Sequence, residues 1–181
     1  FEYSDSSYLA AGNYDADDNS RNVFVASVSK SGGTPVVRYF SNYAGTSDSA
    51  TTPHLVKTGS NSFVLLWSSQ GYVYYTAIDG TGKQVGSTYK MAGNLSDCVP
   101  SIINGKLIWY AWKNSHNTFY EINLSDLSSN HATRIENGHK YVYGTTIENN
   151  QVDKTCRVCG ITSKAAVPTK ISAYITPSNS S

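Results

Sequence analysis

Charge is scarce in this sequence. Only 15% of its residues are Asp, Glu, Lys or Arg, and 14 basic side chains stand against 13 acidic ones, where a soluble domain usually devotes about a quarter of its residues to charge. Nothing therefore steers the chain toward nucleic acid or an anionic membrane surface. No run of about 18 apolar residues exists, so no transmembrane helix and no membrane insertion are expected. Phe1 follows neither a basic n-region nor an apolar h-region, and the sequence reads as a trimmed one. The motifs of common catalytic sites are missing as well: there is no G-x-S-x-G elbow, no H-E-x-x-H and no Gly-rich phosphate loop. A non-enzymatic role is the expectation. Paired carboxylates meet only in the folded chain, so a fragment of, or accessory domain to, a secreted hydrolase such as a glycoside hydrolase stays open as the alternative.

What is present favours strands and turns. Tyr and Gly each occur 14 times and Met once, and a chain rich in aromatics, Ser, Thr, Asn and Gly suits β-structure over helix. At 181 residues the chain is long enough for one domain with a real core, or one and a half. The same polar, weakly charged composition suggests an extracellular or cell-surface location.

The organising stretch is 98–120. It holds an apolar strand, a tight Asn104-Gly105 turn, a second strand ending in tryptophans, a polar turn and an aromatic third strand. An earlier copy runs from Pro53 through Leu65-Leu66-Trp67 to Tyr74-Tyr75. The offsets are 47 residues from Pro53 to Pro100, 42 from Trp67 to Trp109 and 45 from Tyr75 to Tyr120. A weaker analogue precedes both, with strands at 9–14, 23–28 and 36–40, and Asp79-Gly80 marks a hairpin turn. Four short strands at a period of 40–50 residues describe a propeller blade. The expected fold is all-β, with propeller-like blades in a partial or open propeller; a β-sandwich is the alternative. Two to three blades fill 1–129. Past the linker-like Ser128-Ser129-Asn130, a small Cys/His-containing β or irregular segment occupies 130–181.

Aromatics in this pattern serve two ends. Leu107, Trp109 and Ala111 share one strand face, and Ile108, Tyr110 and Trp112 the other, so both faces are apolar, as stacked sheets require. Trp67 and Trp109 are expected in the core. Trp112 stands at a strand end beside Lys113-Asn114-Ser115-His116, which makes Trp112, Asn114 and His116 the candidate ligand-binding residues. His54 reads as solvated and Cys98 as a small buried hydrophobe.

Three cysteines are an odd number, and two of them form Cys156-Arg157-Val158-Cys159. Two thiolates and imidazoles are donors that zinc prefers, which makes His131, His139, Cys156 and Cys159 a candidate structural zinc set. The same cysteine pair can instead be a strained disulfide or free thiols. Asp15, Asp17 and Asn19 place oxygens at alternate positions of a turn, as calcium loops do. Ser20 stands where an EF-hand needs Gly and Ala26 where it needs Glu, so calcium is the weaker cofactor expectation.

The run Leu65-Leu66-Trp67, Tyr74-Tyr75, Ala77 to Lys83, Ser96 to Pro100, Asn104 to Trp109 and Phe119-Tyr120 resembles the β-propeller-like repeat regions of large secreted surface proteins of Gram-positive gut bacteria. The likeness covers residues 8–125. The segment from Gly138-His139 to Cys159-Gly160 and Val167-Pro168 is similar to small Cys/His repeats of the same kind of protein. Those repeats carry a further Cys before the C-x-x-C and a Gly-His after the Pro; Thr145-Thr146-Ile147 and Lys170-Ile171 stand there instead. The resemblance implies a multidomain extracellular protein whose repeats bind or space. The partners it implies are other blades or domains of a larger chain and, for a binding role, a glycan or a surface protein.

Overall fold

The computed structural model describes residues 1–15, 20–113, 116–135, 141–157 and 160–167. Among these residues the chain is all-β, with fifteen strands. They are β1 (Glu2–Tyr3), β2 (Ser7–Asp15), β3 (Arg21–Ser29), β4 (Val36–Tyr39), β5 (Thr51–Gly59), β6 (Ser62–Ser69), β7 (Tyr72–Asp79), β8 (Gln84–Ala92), β9 (Ser101–Ile103), β10 (Lys106–Lys113), β11 (His116–Asn123), β12 (Asp126–Arg134), β13 (Tyr141–Glu148), β14 (Gln151–Cys156) and β15 (Thr162–Ala166). Each sheet is an antiparallel meander of consecutive strands: β1 to β4, β5 to β8, β9 to β12, and the three-stranded β13 to β15. The repeat read from the sequence is thus three complete four-stranded copies.

Turn chemistry closes the hairpins. Asn104 and Gly105 take φ of 50° and 74°, Gln70 and Gly71 47° and 76°, and Asn149 and Asn150 51° and 60°. Two successive left-handed residues form the two-residue turn whose twist matches paired strands, and Asn and Gly tolerate it best.

Packing explains why the middle sheet reads as an unbroken apolar run. On β6, Phe63, Leu65 and Trp67 join Leu9, Val23 and Val25 of the first sheet in one core. Val64 and Leu66 join Leu107, Trp109, Tyr120 and Ile122 of the third sheet in another. With both faces covered, alternation gives way to Phe63-Val64-Leu65-Leu66-Trp67, all buried. The result is an open, propeller-like stack of three small sheets.

The two cores repeat a device. Trp67 stacks on its cross-strand neighbour Tyr74, with centroids 5.6 Å apart, and Trp109 on Tyr120, 5.2 Å apart. Each indole N–H is satisfied by the segment that leads into its sheet: Trp67 Nε1 donates to Tyr43 Oη (3.1 Å) and Trp109 Nε1 to the Asn94 carbonyl (2.9 Å). Polar links cross between sheets as well. Tyr75 Oη donates to the Leu127 carbonyl and accepts from Asn130 Nδ2, both at 2.9 Å. Ser4 Oγ donates to the Gly80 carbonyl (2.8 Å), and Arg38 Nη1 to the Thr81 carbonyl (3.0 Å).

Three local expectations are corrected. Ser128-Ser129-Asn130 is part of β12, which pairs with β11, and not a linker. Cys98 is exposed, because 97–99 lies in the connection before β9 and not on a buried strand. His54 is partly buried, with Nε2 2.7 Å from the Ser96 carbonyl oxygen.

The chain divides into two compact units, Phe1–Glu136 and Asn137–Ser181. The second is thinly packed. Val152 and Cys156 are its buried apolar residues among those described, and every residue of β13 is exposed. Lys164 sits 3.0 Å from Asp153 and 3.6 Å from Glu148, and the Asp153 hydrogen bond above all holds its ammonium above the ordinary lysine value.

Candidate functional site

Strand alternation puts Leu107, Trp109 and Ala111 against the middle sheet and turns Lys106, Ile108, Tyr110 and Trp112 to the opposite face. Opposite them on β11 stand Phe119 beside Tyr110, Glu121 beside Ile108 and Asn117 beside Trp112. On β12, Thr133 and His131 continue the same rows. Among the described residues, no sheet of the first unit covers this face. Trp112 is 57% exposed, Phe119 48% and Tyr110 45%, against 2% for Trp67 and 4% for Trp109. The Tyr110 and Phe119 rings lie 6.1 Å apart and tilted by 51°. Beside them a hollow of about 310 Å³ is lined by Ile108, Phe119, Tyr120, Glu121 and Thr133. Lys106 Nζ meets Glu121 Oε1 at 2.7 Å on the diagonal between β10 and β11. The face therefore combines an aromatic platform with an adjacent ion pair and an imidazole.

The outer face of the first sheet differs. Cross-strand rows Tyr3–Tyr8–Val28, Ala10–Ala26–Val37, Gly12–Phe24–Tyr39 and Tyr14–Asn22 lie on it, and the Lys30 ammonium stands over the Tyr3 and Tyr8 rings at one end, 5.0 and 5.7 Å from their centroids. Tyr8 and Tyr39 are exposed, Phe1 stacks on Tyr8 at 6.3 Å, and an apolar hollow of about 180 Å³ opens between Tyr8, Ala26 and Pro35.

Of the residues expected to bind a ligand, Trp112 lies one position from the end of β10 and is exposed. His116 begins β11 opposite Lys113, and Asn114 lies outside the described residues. The sequence pattern placed Tyr110 on the Trp112 face but did not mark it or Phe119 as accessible. Nothing local could have done so, since accessibility here depends on whether a further sheet packs against this face.

The zinc set falls across both units. His131 is exposed on β12 opposite Glu121, while Cys156 ends β14, buried, opposite Tyr141. The turn beyond it is closed by Gly160 N–H donating to the Cys156 carbonyl and Cys156 N–H donating to the Ile161 carbonyl, each at 2.9 Å. His139 and Cys159 lie outside the described residues. Among the described residues no group of three His, Cys, Asp or Glu side chains is gathered. Asp15 ends β2 opposite Arg21, and Asp17 and Asn19 also lie outside the described residues.

Two further groups have shifted acidities. Burial raises the Asp79 carboxyl, but bonds from the Thr81 hydroxyl and the Lys83 and Thr81 amides, with Arg38 nearby, outweigh it and hold it below the usual value. This carboxylate organises the β7–β8 turn. Burial also raises the Tyr74 phenol, with Tyr43, Asp48 and Tyr72 adding to it. Both fit structural service better than chemistry.

Compared with known proteins, the chain matches no family model and no curated protein.

Proposed function

We propose that this chain is a non-catalytic recognition module of a secreted or cell-surface bacterial protein, presenting the outer face of its third sheet to a glycan or a protein surface. The observation that carries the reading is the exposure of Trp112, Tyr110 and Phe119 side by side on one sheet. Large aromatics exposed in a contiguous patch favour a binding role, and two-χ aromatic side chains lose little entropy on contact. The charged and imidazole groups of Lys106, Glu121 and His131 suit an intermittent partner better than a permanent core. The outer face of the first sheet, whose strand rows are mostly apolar, suits the opposite role, contact with a further blade of a larger chain.

The test is capture of an immobilised mucin-type glycoprotein, before and after enzymatic deglycosylation. Saturable capture that falls at least tenfold in Trp112→Ala/Tyr110→Ala, with melting unchanged, is expected; sensitivity to deglycosylation assigns the glycan. Absence of capture in both states contradicts the reading.

A further inference from the structure

Where β6 and β10 end and β5 begins, a polar cleft of about 390 Å³ opens between the middle and third sheets. Several independent features converge on it. Thr52, on its wall, has φ of 50° at a register shift between Thr51 and His54. A β-branched residue in the left-handed region is an outlier, and such strain concentrates at ligand sites. Among the described residues, Ser96 Oγ is buried without a hydrogen-bond partner, although the Ser96 carbonyl is engaged by His54. Asn94 holds the third sheet's Trp109 through its carbonyl and reaches the Trp112 carbonyl through Nδ2 at 3.3 Å. The Asp97 side chain is exposed at the rim, and Leu95, Ala111 and Trp112, the last shared with the outer face of the third sheet, supply apolar wall.

The chemistry of this lining selects a ligand class. Neither Lys nor Arg is among the described residues lining the cleft, and Asp97 repels anions. One carboxylate is too little for a calcium site, which gathers six to eight oxygens. Hydroxyls, an amide, one carboxylate and an apolar wall match a neutral ring with hydroxyls at its edge and C–H groups on its face. The volume falls in the range of small-ligand sites.

We propose that this cleft is a subsite for one neutral hexopyranose ring of a glycan. Asp97 accepts hydrogen bonds from ring hydroxyls, Ser96 Oγ gains the partner it lacks, and the C–H face rests on Leu95 and Ala111. The inference rests on the recognition reading and names its ligand.

The test titrates the isotope-labelled full chain with the methyl glycosides of glucose, galactose, mannose and N-acetylglucosamine, followed by amide NMR. At least one glycoside should saturate with shifts at residues 51–52 and 94–97. Asp97→Ala should weaken it at least tenfold, Ser96→Ala severalfold and Tyr110→Ala less than twofold, with unchanged melting for each. No binding in the panel, binding that Asp97→Ala leaves within twofold, or shifts confined to Tyr110 and Phe119 overturns the subsite. If glycoprotein capture persists in those cases, the recognition reading survives alone; if capture is also absent, both fall.

Discussion

The middle and third sheets are built from the same four-strand meander and the same stacked Trp–Tyr pair, yet their second faces have opposite fates. In the middle sheet Val64, Leu66 and Tyr75 are enclosed by the third sheet. In the third sheet Ile108 and Tyr110 look outward, Tyr110 to water. Repetition of sequence thus sets the strands, the turns and one packed face, while the neighbour decides whether the other face becomes core or contact surface. Composition registers the difference. Lys106, Glu121, His131 and Thr133 occupy rows that Val64, Tyr75, Tyr89 and Met91 fill in the middle sheet.

The comparison is broken most severely at the shared pair. Trp109→Ala should destabilise the first unit by about 3–5 kcal/mol, as large-to-small core substitutions of aromatics do, lowering the urea midpoint in equilibrium unfolding. Next in size is Gly93→Ala. A Cβ there would lie 2.6 Å from the Tyr120 ring, and overpacking of this kind costs about 1–3 kcal/mol, read as a lower melting temperature.

Tyr75→Phe removes two hydrogen bonds that tie the middle sheet to β12, a loss of about 1–2 kcal/mol. Burial raises the Tyr75 phenol foremost, with the Asn130 hydrogen bond opposing and Tyr89 and Asp126 adding to the rise. The folded chain therefore keeps this proton where the unfolded chain has begun to lose it. The stabilisation is full below the ordinary phenol pKa of about 10 and declines as pH climbs through the raised value. Melting followed above pH 9 should fall less steeply in Tyr75→Phe than in the parent.

Thr52→Gly should stabilise by about 1 kcal/mol, since relief of left-handed strain of about 1–3 kcal/mol exceeds the backbone entropy that glycine adds. Equal or lower stability would show that the residue's contacts offset its strain. The smallest effect belongs to Trp112→Ala, expected within about 0.5 kcal/mol of the parent, as at other surface positions. The gap between Trp109 and Trp112, two tryptophans three residues apart, sharpens the contrast between a covered and an uncovered face.

Much of the fold was legible. Asn104-Gly105, the 42-residue offset between Trp67 and Trp109, and apolarity on both faces of β10 specify hairpins, repetition and stacking. The first copy was faint because its Trp–Tyr row is replaced by Gly12–Phe24, so no aromatic recurs at the expected offset. Strand β12 is not legible in the sequence because it is a mostly exposed edge whose residues, Ser128 to Arg134 above all, show no buried alternation. Cys98 reads as buried because an apolar strand follows it, but it lies in the connection before β9 and is exposed. Of the candidate sites, Trp112 could be singled out by its place at a strand end. The cleft at Thr52, Asn94 and Ser96 could not, since it exists only where two repeats meet.

The central claim is that the first unit ends in an open aromatic face while its equivalent in the middle sheet is sealed. Hydroxyl-radical footprinting of the intact chain, read residue by residue by mass spectrometry, tests it most directly. Trp112, Tyr110 and Phe119 should be oxidised at least tenfold faster than Trp67, Trp109 and Tyr75; comparable rates for Trp112 and Trp109 would contradict the account.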